Sequence, residues 1–468
     1  MHVLSNCKSH TMDEVLLAGN NLAMLVAVSE LARRGRRVRL CSDAKPLGGH
    51  FAGMRLQGQG YDIGMVMLEQ VRSATPDDDL RHYRSNVRND WTRFGHLAWR
   101  WLEQQGALQR VPTPECQVGG RIGPDYLIAN RLDLLSGLGL PGPDSLPAGD
   151  PRHPSHKTEP GPYDSLSYAQ AAQRCHGHSF HAQAIEPFVR KLMGVGSDGF
   201  LARYHRAAWA PLFYPDTLRA ALAGQPTGLQ EYPFWTTPSG FVGQLVADLQ
   251  AHLQAHPCVV LDHDPLLGMQ ADGSGLRLHT AGGSHTGRAG AALGLSAERC
   301  HALLDLPPQA AQPAASVVVA FFQVRAGSIG RPTGCLMVVD DDHASYRLSD
   351  QDALAGRDAE HHRVTVEASP ERLAALYPGQ TAEAALAQEL RALMQVGDPA
   401  GVQVLKCITA RNAISLPTQA AIDAAEQARQ ALALALPGVW LTGNLLGYGV
   451  ASFNDQIVQG LQLAEAMS

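Results

Sequence analysis

The first sixty residues alternate strand, tight turn, helix and strand, and that order restricts the folds open to the chain. Glu14 to Ala18 is a short apolar run of strand length that ends at Gly19-Asn20-Asn21. Leu22, Leu25, Val26 and Ser29 then recur at helical spacing, with Glu30, Arg33 and Arg34 on the other face, until Gly35 ends the helix. Arg37 to Cys41 reads as a second strand, followed by Ser42-Asp43. A βαβ unit of this kind has parallel strands and a right-handed crossover. The chain therefore belongs to the α/β class, with a sheet of Rossmann type.

In such a unit the turn is where a dinucleotide would sit. A Gly-x-Gly-x-x-Gly turn lets the backbone approach a pyrophosphate, which rests on the helix N-terminus. Here the six positions are Gly19, Asn20, Asn21, Leu22, Ala23 and Met24, and only the first glycine remains. Asn21 stands at the point of closest approach to the phosphate, and Met24 where helix and strand pack. Asp43, with Ser42 as the alternative, is the candidate for holding ribose hydroxyls. Taken alone, the fingerprint fails.

The continuation carries more. Lys45-Pro46-Leu47-Gly48-Gly49-His50-Phe51 follows at once, and then Gly60-Tyr61-Asp62-Ile63-Gly64-Met65. This order resembles the N-terminal segment of the amine oxidase, protoporphyrinogen oxidase and phytoene desaturase superfamily of FAD proteins. The resemblance implies that Gly48 and Gly49 pass close to the cofactor and that the strand through Gly64 and Met65 leads to the flavin ring. At the far end, Pro437 to Asn444 reads as a strand entering a turn, and Asn454-Asp455-Gln456 opens a final helix. This resembles the C-terminal flavin segment of the same superfamily, which implies cofactor contacts from Gly443, Asn444, Asn454, Asp455 and Gln456. Tyr448 with Asn454-Asp455 is similar to flavin-dependent mutases of the UDP-galactopyranose mutase type. Those enzymes usually carry Arg after the strand-end glycine, where this chain has Asn444.

The implied architecture is a discontinuous FAD-binding domain built from residues 13–75, 240–310 and 411–468. A helical substrate or cap region, 76–239, and a mostly antiparallel substrate sheet, 311–410, are inserted into it. The helix from Gly240 to Leu253 and the strands at 259–261, 276–280 and 289–295 mark the return to the first domain. Pro141 to Pro162 is the candidate mobile loop or lid. The full FAD-contacting set is Gly19, Asn20, Asn21, Leu22, Asp43, Gly48, Gly49, Gly64, Met65, Gly443, Asn444, Asn454, Asp455 and Gln456.

Candidate catalytic residues are His50, Arg347 and Tyr448. His50 is either an acid/base group beside the flavin or an exposed turn residue. Arg347 and Arg325 either clamp a carboxylate or diphosphate or are surface arginines. Phe234 and Trp235 either line the pocket or pack in the core. Cys175, His178 and His181 would sweep about 300° around a regular helix and cannot face one metal ion from it, so no metal is expected. The Asp runs at 77–79 and 340–342 read as solvated turns, and Arg33 to Arg37 as a solvated helix end.

The net charge of −6, from 38 basic and 44 acidic residues, argues against nucleic-acid binding. Eight widely spaced cysteines with no C-x-x-C pair read as reduced thiols in a cytoplasmic protein. The start lacks a signal pattern, and the apolar stretch Val15–Val28, broken by Asn20 and Asn21, is too short to span a bilayer. Nothing fixes the oligomeric state. Three functions follow in order: an FAD-dependent oxidoreductase moving hydride from a small-molecule substrate to flavin N5, a non-redox nucleotide-sugar mutase relative, and a binding protein on a flavoprotein scaffold that has lost FAD.

Overall fold

The computed structural model describes residues 14–71, 73, 75–83, 91–125, 165–204, 233–273, 275–446 and 452–468. It opens with β1 (Val15–Gly19), α1 (Leu22–Arg33) and β2 (Val38–Cys41). Every residue of β1 is buried, which is why the strand reads as one apolar run rather than as an alternation. α1 buries Leu22 to Val28 in an unbroken row. A helix apolar all round must be covered on both sides: one side of α1 meets this sheet and the other the last helix of the chain.

The chain continues through the hairpin β3 (Met54–Leu56) and β4 (Gln59–Tyr61), then β5 (Leu68–Glu69), α2 (Trp91–Gln105), β6 (Gln109–Arg110), β7 (Glu115–Val118) and β8 (Arg121–Pro124). Next come α3 (Tyr168–His176), α4 (Glu186–Met193), β9 (Phe234–Thr236), α5 (Gly243–Gln254) and β10 (Val259–Asp262). β11 (Leu266–Asp272), β12 (Gly275–Thr280), β13 (Gly283–Gly287), β14 (Ala291–Gly294) and α6 (Ala297–Leu303) follow. The second large sheet takes β15 (Ala314–Arg325), β16 (Cys335–Val338), β17 (Ser345–Asp350), β18 (His361–Ala368) and, after α7 (Pro370–Leu376) and α8 (Ala382–Leu393), β19 (Val402–Ser415). α9 (Gln419–Ala435), β20 (Trp440–Leu441) and α10 (Phe453–Ala466) complete the chain.

A five-stranded parallel sheet has the order β10-β2-β1-β14-β20. Its strands come from three stretches of sequence, and β1 lies in the middle. β11, β12 and β13 form a separate antiparallel sheet. The seven-stranded sheet has the order β19-β15-β18-β17-β16-β7-β8 and is antiparallel except where β16 meets β7. Its outer two strands come from residues 115–124, inside the region read as helical from sequence. That stretch is too short for the alternation placing Cys116 and Val118 in the core to stand out. One face of this sheet packs on α7 and α8 through Val318, Ala320, Phe322, Val364 and Val366. The other, with Val317, Val319, Phe321, Cys335 and Met337, packs on α3 and α4.

Asp62, from the Tyr-Asp-Ile-Gly segment, caps α5. Its carboxylate accepts from the Val242 and Gly243 amides at 3.0 and 2.9 Å. The Asp62 amide donates to Gln351 Oε1 at 2.9 Å, and Gln351 Nε2 donates to the Gly240 carbonyl at 3.0 Å. The seven described cysteines are all thiols, and six of them are buried. Among the described residues, no helix is long and apolar enough to cross a membrane.

Candidate functional site

Three parallel strands, β1, β14 and β20, end at one place, and glycines let them do so. Gly19 has φ +148°, and a Cβ there would lie 2.6 Å from the Gly294 carbonyl carbon. That is backbone against backbone, so residue 19 must be glycine. Gly294 and Gly443 in turn crowd Asn21: a Cβ on either would lie 2.6 Å from Asn21 Nδ2.

Asn21 is the N-cap of α1. Its Oδ1 accepts from the Met24 amide at 3.0 Å. Its Nδ2 donates to the Gly294 carbonyl at 3.2 Å and lies 3.5 Å from Thr442 Oγ1. The Leu22 amide donates to Gln456 Oε1, from α10, at 2.9 Å. The Gly443 amide donates to Gln459 Oε1 at 2.9 Å. Two amides of the first turn of α1 are therefore bound by the chain's own carboxamides.

The end of β2 is also committed. Asp43 accepts from the Leu266 amide at 3.0 Å and from Arg299 Nε and Nη2 at 2.7 and 2.9 Å. Burial pushes its carboxyl up, but Arg299 and the Leu266 amide outweigh that and hold it below the ordinary value. Ser42 Oγ is paired with His263 Nδ1 at 2.7 Å.

The Gly48-Gly49 loop lies beside the turn, with Asn21 bridged to Gly48 and Asn20 Nδ2 donating to the Pro46 carbonyl at 3.1 Å. Gly48 and Gly49 have φ of +88° and +59°. His50 follows in a short 3-10 turn, its ring 3.8 Å from that of Phe51. The imidazole is solvent-exposed, yet surrounding protein pushes it down to about 4 by desolvation. Gly64, φ +78°, faces the Glu367 carboxylate: a Cβ there would lie 2.7 Å from Oε1. Met65 Sδ meets Cys335 Sγ at 3.0 Å.

Of the proposed anion clamps, Arg347 is buried and bound to both oxygens of Glu367, with Nη2 to Oε1 at 2.6 Å. The surface reading of Arg347 is thereby corrected, because β17 turns it inward onto β18. Arg325 is exposed and paired with Asp398. Phe234 sits in the core, and Trp235 packs at 5.3 Å on Trp99. Asn454 Nδ2 donates to the Glu69 carbonyl at 2.6 Å. The Asp455 carboxylate is buried with no hydrogen-bond partner among the described residues, and burial pushes it well above the ordinary range. Asn444 lies in the turn Gly443–Leu446, with its side chain outside the described residues. Tyr448 and the 141–162 loop also lie outside them.

The Cys175 to His181 stretch is not one regular helix: Gly177, φ +83°, interrupts it. His181 Nε2 pairs with Ser197 Oγ at 2.9 Å. Among the described residues, no group of three His, Cys, Asp or Glu is placed to hold a metal ion.

No protein-family model matches the chain, and no curated protein does. Solved structures do. A candidate protoporphyrinogen oxidase from Exiguobacterium sp. is 16% identical, with a TM-score of 0.63 over 97% of this chain and 98% of its own. A reduced UDP-galactopyranose mutase is 13% identical, with a TM-score of 0.65 over 98% and 93%. Cyclohexylamine oxidase from Brevibacterium oxydans is 15% identical, with a TM-score of 0.57 over 97% and 98%. The chain has the fold of these oxidases and this mutase. At such identities the likeness is one of fold.

FAD is the group that this fold and the resembling segments imply, and its diphosphate would rest on the first turn of α1. The residues present do not fit it. The amides of Leu22 and Met24 are taken, the Asn21 carboxamide fills the space between Gly294 and Gly443, and Asp43 is bound to Arg299. Gln459, Gly294, Thr442 and Arg299 are the site residues that sequence reasoning missed. Gln459 stands three residues after Gln456 on one helix, and that spacing was the only signal for it.

Proposed function

We propose that the protein is a binding protein on this oxidase scaffold and does not work through FAD. The observation that carries the reading is the pair of carboxamides, Asn21 and Gln456, bound to the amides on which a diphosphate would rest. A dinucleotide would have to break both bonds and displace Asn21 from its contacts with the ends of β14 and β20.

The test is the absorbance spectrum of the purified full chain, followed by titration with FAD. The expected result is no visible flavin band and no saturation at micromolar FAD. A stoichiometric flavin that survives gel filtration would overturn the reading.

The second reading, an FAD-dependent oxidoreductase acting on a small molecule, is favoured by Gly48 and Gly49, which keep left-handed backbone angles beside the turn. The mutase reading has less support. Its enzymes must neutralise a sugar diphosphate, and the two arginines proposed for that task are committed to Glu367 and Asp398.

A further inference from the structure

We infer that the end of the parallel sheet remote from the Gly19 turn is a docking surface for an acidic peptide segment of a partner protein. The surface is independent of what the turn holds.

Four arginines gather there. Arg34 caps the C-terminus of α1, Arg36 and Arg37 lead into β2, and Arg288 leads from β13 into β14. Arg34, Arg37 and Arg288 are exposed, and Arg36 is half-buried. β1 joins the two stretches: the Val15 amide donates to the Arg37 carbonyl at 2.9 Å and the Leu16 amide to the Gly290 carbonyl at 3.0 Å. With one strand between them, the starts of β2 and β14 lie about 10 Å apart. Arg36 crosses that gap, its Nη2 donating to the Ala289 carbonyl at 3.2 Å, next to Arg288. Arg34 Nη1 donates to the Ala464 carbonyl of α10 at 3.3 Å and to Ser468 Oγ.

Among the described residues, none of the four forms an ion pair. The acids of the same segments are committed elsewhere, Glu30 to Arg33 at 2.7 Å and Glu14 to Arg39 at 2.9 Å, and the exposed Glu465 of α10 acts on Arg81. The dipole of α1 accounts for a cation at Arg33 or Arg34. It does not account for Arg36 and Arg37, which lie beyond the helix, or for Arg288, which comes from another part of the chain. Like charges gathered in this way repel one another, and an anionic partner removes that cost.

The chemistry of the partner follows from the same residues. Main-chain carbonyls hold the guanidiniums of Arg34 and Arg36 in place, so less freedom is lost when their remaining N–H groups meet carboxylates. An extended peptide advances about 3.3 Å per residue, so acidic residues three apart match the spacing of the two strand starts. The exposed large apolar side chains, Val260, Leu267, Leu376, Leu434 and Trp440, all lie in other segments, and basic groups without an apolar anchor hold a lipid surface weakly. The net charge of −6 repels a nucleic acid at long range. A short acidic peptide meets neither obstacle.

Fluorescence anisotropy tests this with a rhodamine-labelled hexaglutamate peptide. It is titrated with the full chain, with Arg37→Gln/Arg288→Gln, and with the control Arg110→Gln/Arg174→Gln, whose arginines are exposed on β6 and α3. Melting temperatures verify that each variant is folded, and Arg288→Gln alone serves if the double variant melts early. The expected result is saturable binding by the wild type and the control, weakening with salt, and at least about tenfold weaker binding by Arg37→Gln/Arg288→Gln. No saturable binding by the wild type, an equal loss in the control, or unchanged affinity in the folded Arg37/Arg288 variant overturns the inference. An oligodeoxynucleotide or phosphatidylserine vesicles that displace the peptide at a lower charge concentration than unlabelled hexaglutamate overturn the peptide partner in favour of nucleic acid or lipid.

Discussion

Arg363 holds Asp352 by both carboxylate oxygens, Nε to Oδ2 at 3.0 Å and Nη2 to Oδ1 at 2.7 Å, with the two side chains only 5% and 1% exposed. The same guanidinium donates Nη1 to the Gly60 carbonyl at 2.8 Å and Nη2 to the Ser239 carbonyl. One buried cation thus ties β18 to the β3–β4 hairpin and to the segment leading into α5.

Removing Arg363 leaves the buried Asp352 with only the partly exposed Arg357 as its cation, Nη1 to Oδ1 at 2.9 Å. Arg363→Met should lower stability by less than the about 3–5 kcal/mol that follows when a buried charge loses its sole partner, and Asp352→Leu, which strands the buried guanidinium, by more. The apolar double variant Arg363→Met/Asp352→Leu should lose markedly less than the sum of the single changes, because neither charge is then stranded. Urea denaturation of the four proteins checks this, and additive losses would contradict it.

Asp62 gives a pH signature. Burial pushes its carboxyl up to about 7, although the Val242 and Gly243 amides and Arg363 pull the other way. The folded state then binds this proton more tightly than the unfolded chain. Its stabilising contribution is complete below the unfolded value of about 3.9 and is lost as pH rises towards 7. Asp62→Asn should remove that component. The difference in unfolding free energy between variant and wild type should therefore change between pH 4 and 7 and level off above it. A parallel pair of stability curves across the window would refute the assignment.

Gly460 sets the distance between α1 and α10. A Cβ there would lie 2.5 Å from Val26 Cβ and 2.6 Å from the Ala23 carbonyl oxygen. Alanine gains about 1 kcal/mol in helix propensity. The clash is with backbone as well as side chain, and overpacking of this kind costs about 1–3 kcal/mol. Gly460→Ala should be net destabilising and Gly460→Val more so, as read from melting temperatures. An alanine variant as stable as the wild type would show that the helices can part freely.

The first βαβ unit was legible because its signals are local. β1, α1 and β2 each carry their pattern within a dozen residues, and the loss of two glycines is visible at Asn21 and Met24. The occupants of the turn were not legible in the same way. Gln456 reaches Leu22 across 434 positions, and Arg299 reaches Asp43 across 256. No periodicity encodes such pairings; they follow from the order of strands in the sheet. Arg347 illustrates the same limit, since only the pairing of β17 with β18 brings it to Glu367. The strands β7 and β8 escaped notice because four residues are too few to establish a period.

The order of the parallel sheet bears on how the protein comes into being. β1 emerges first, yet it lies between β2 and β14, with Leu16 opposite Ala291. β20 closes the outer edge only once Trp440 and Leu441 have been made. During synthesis, the first strand must wait for nearly three hundred residues to appear before its second neighbour exists. Contacts so distant in sequence form slowly. For that interval the apolar edge of β1 is open to other chains, so the nascent polypeptide is expected to spend its early life shielded by chaperones.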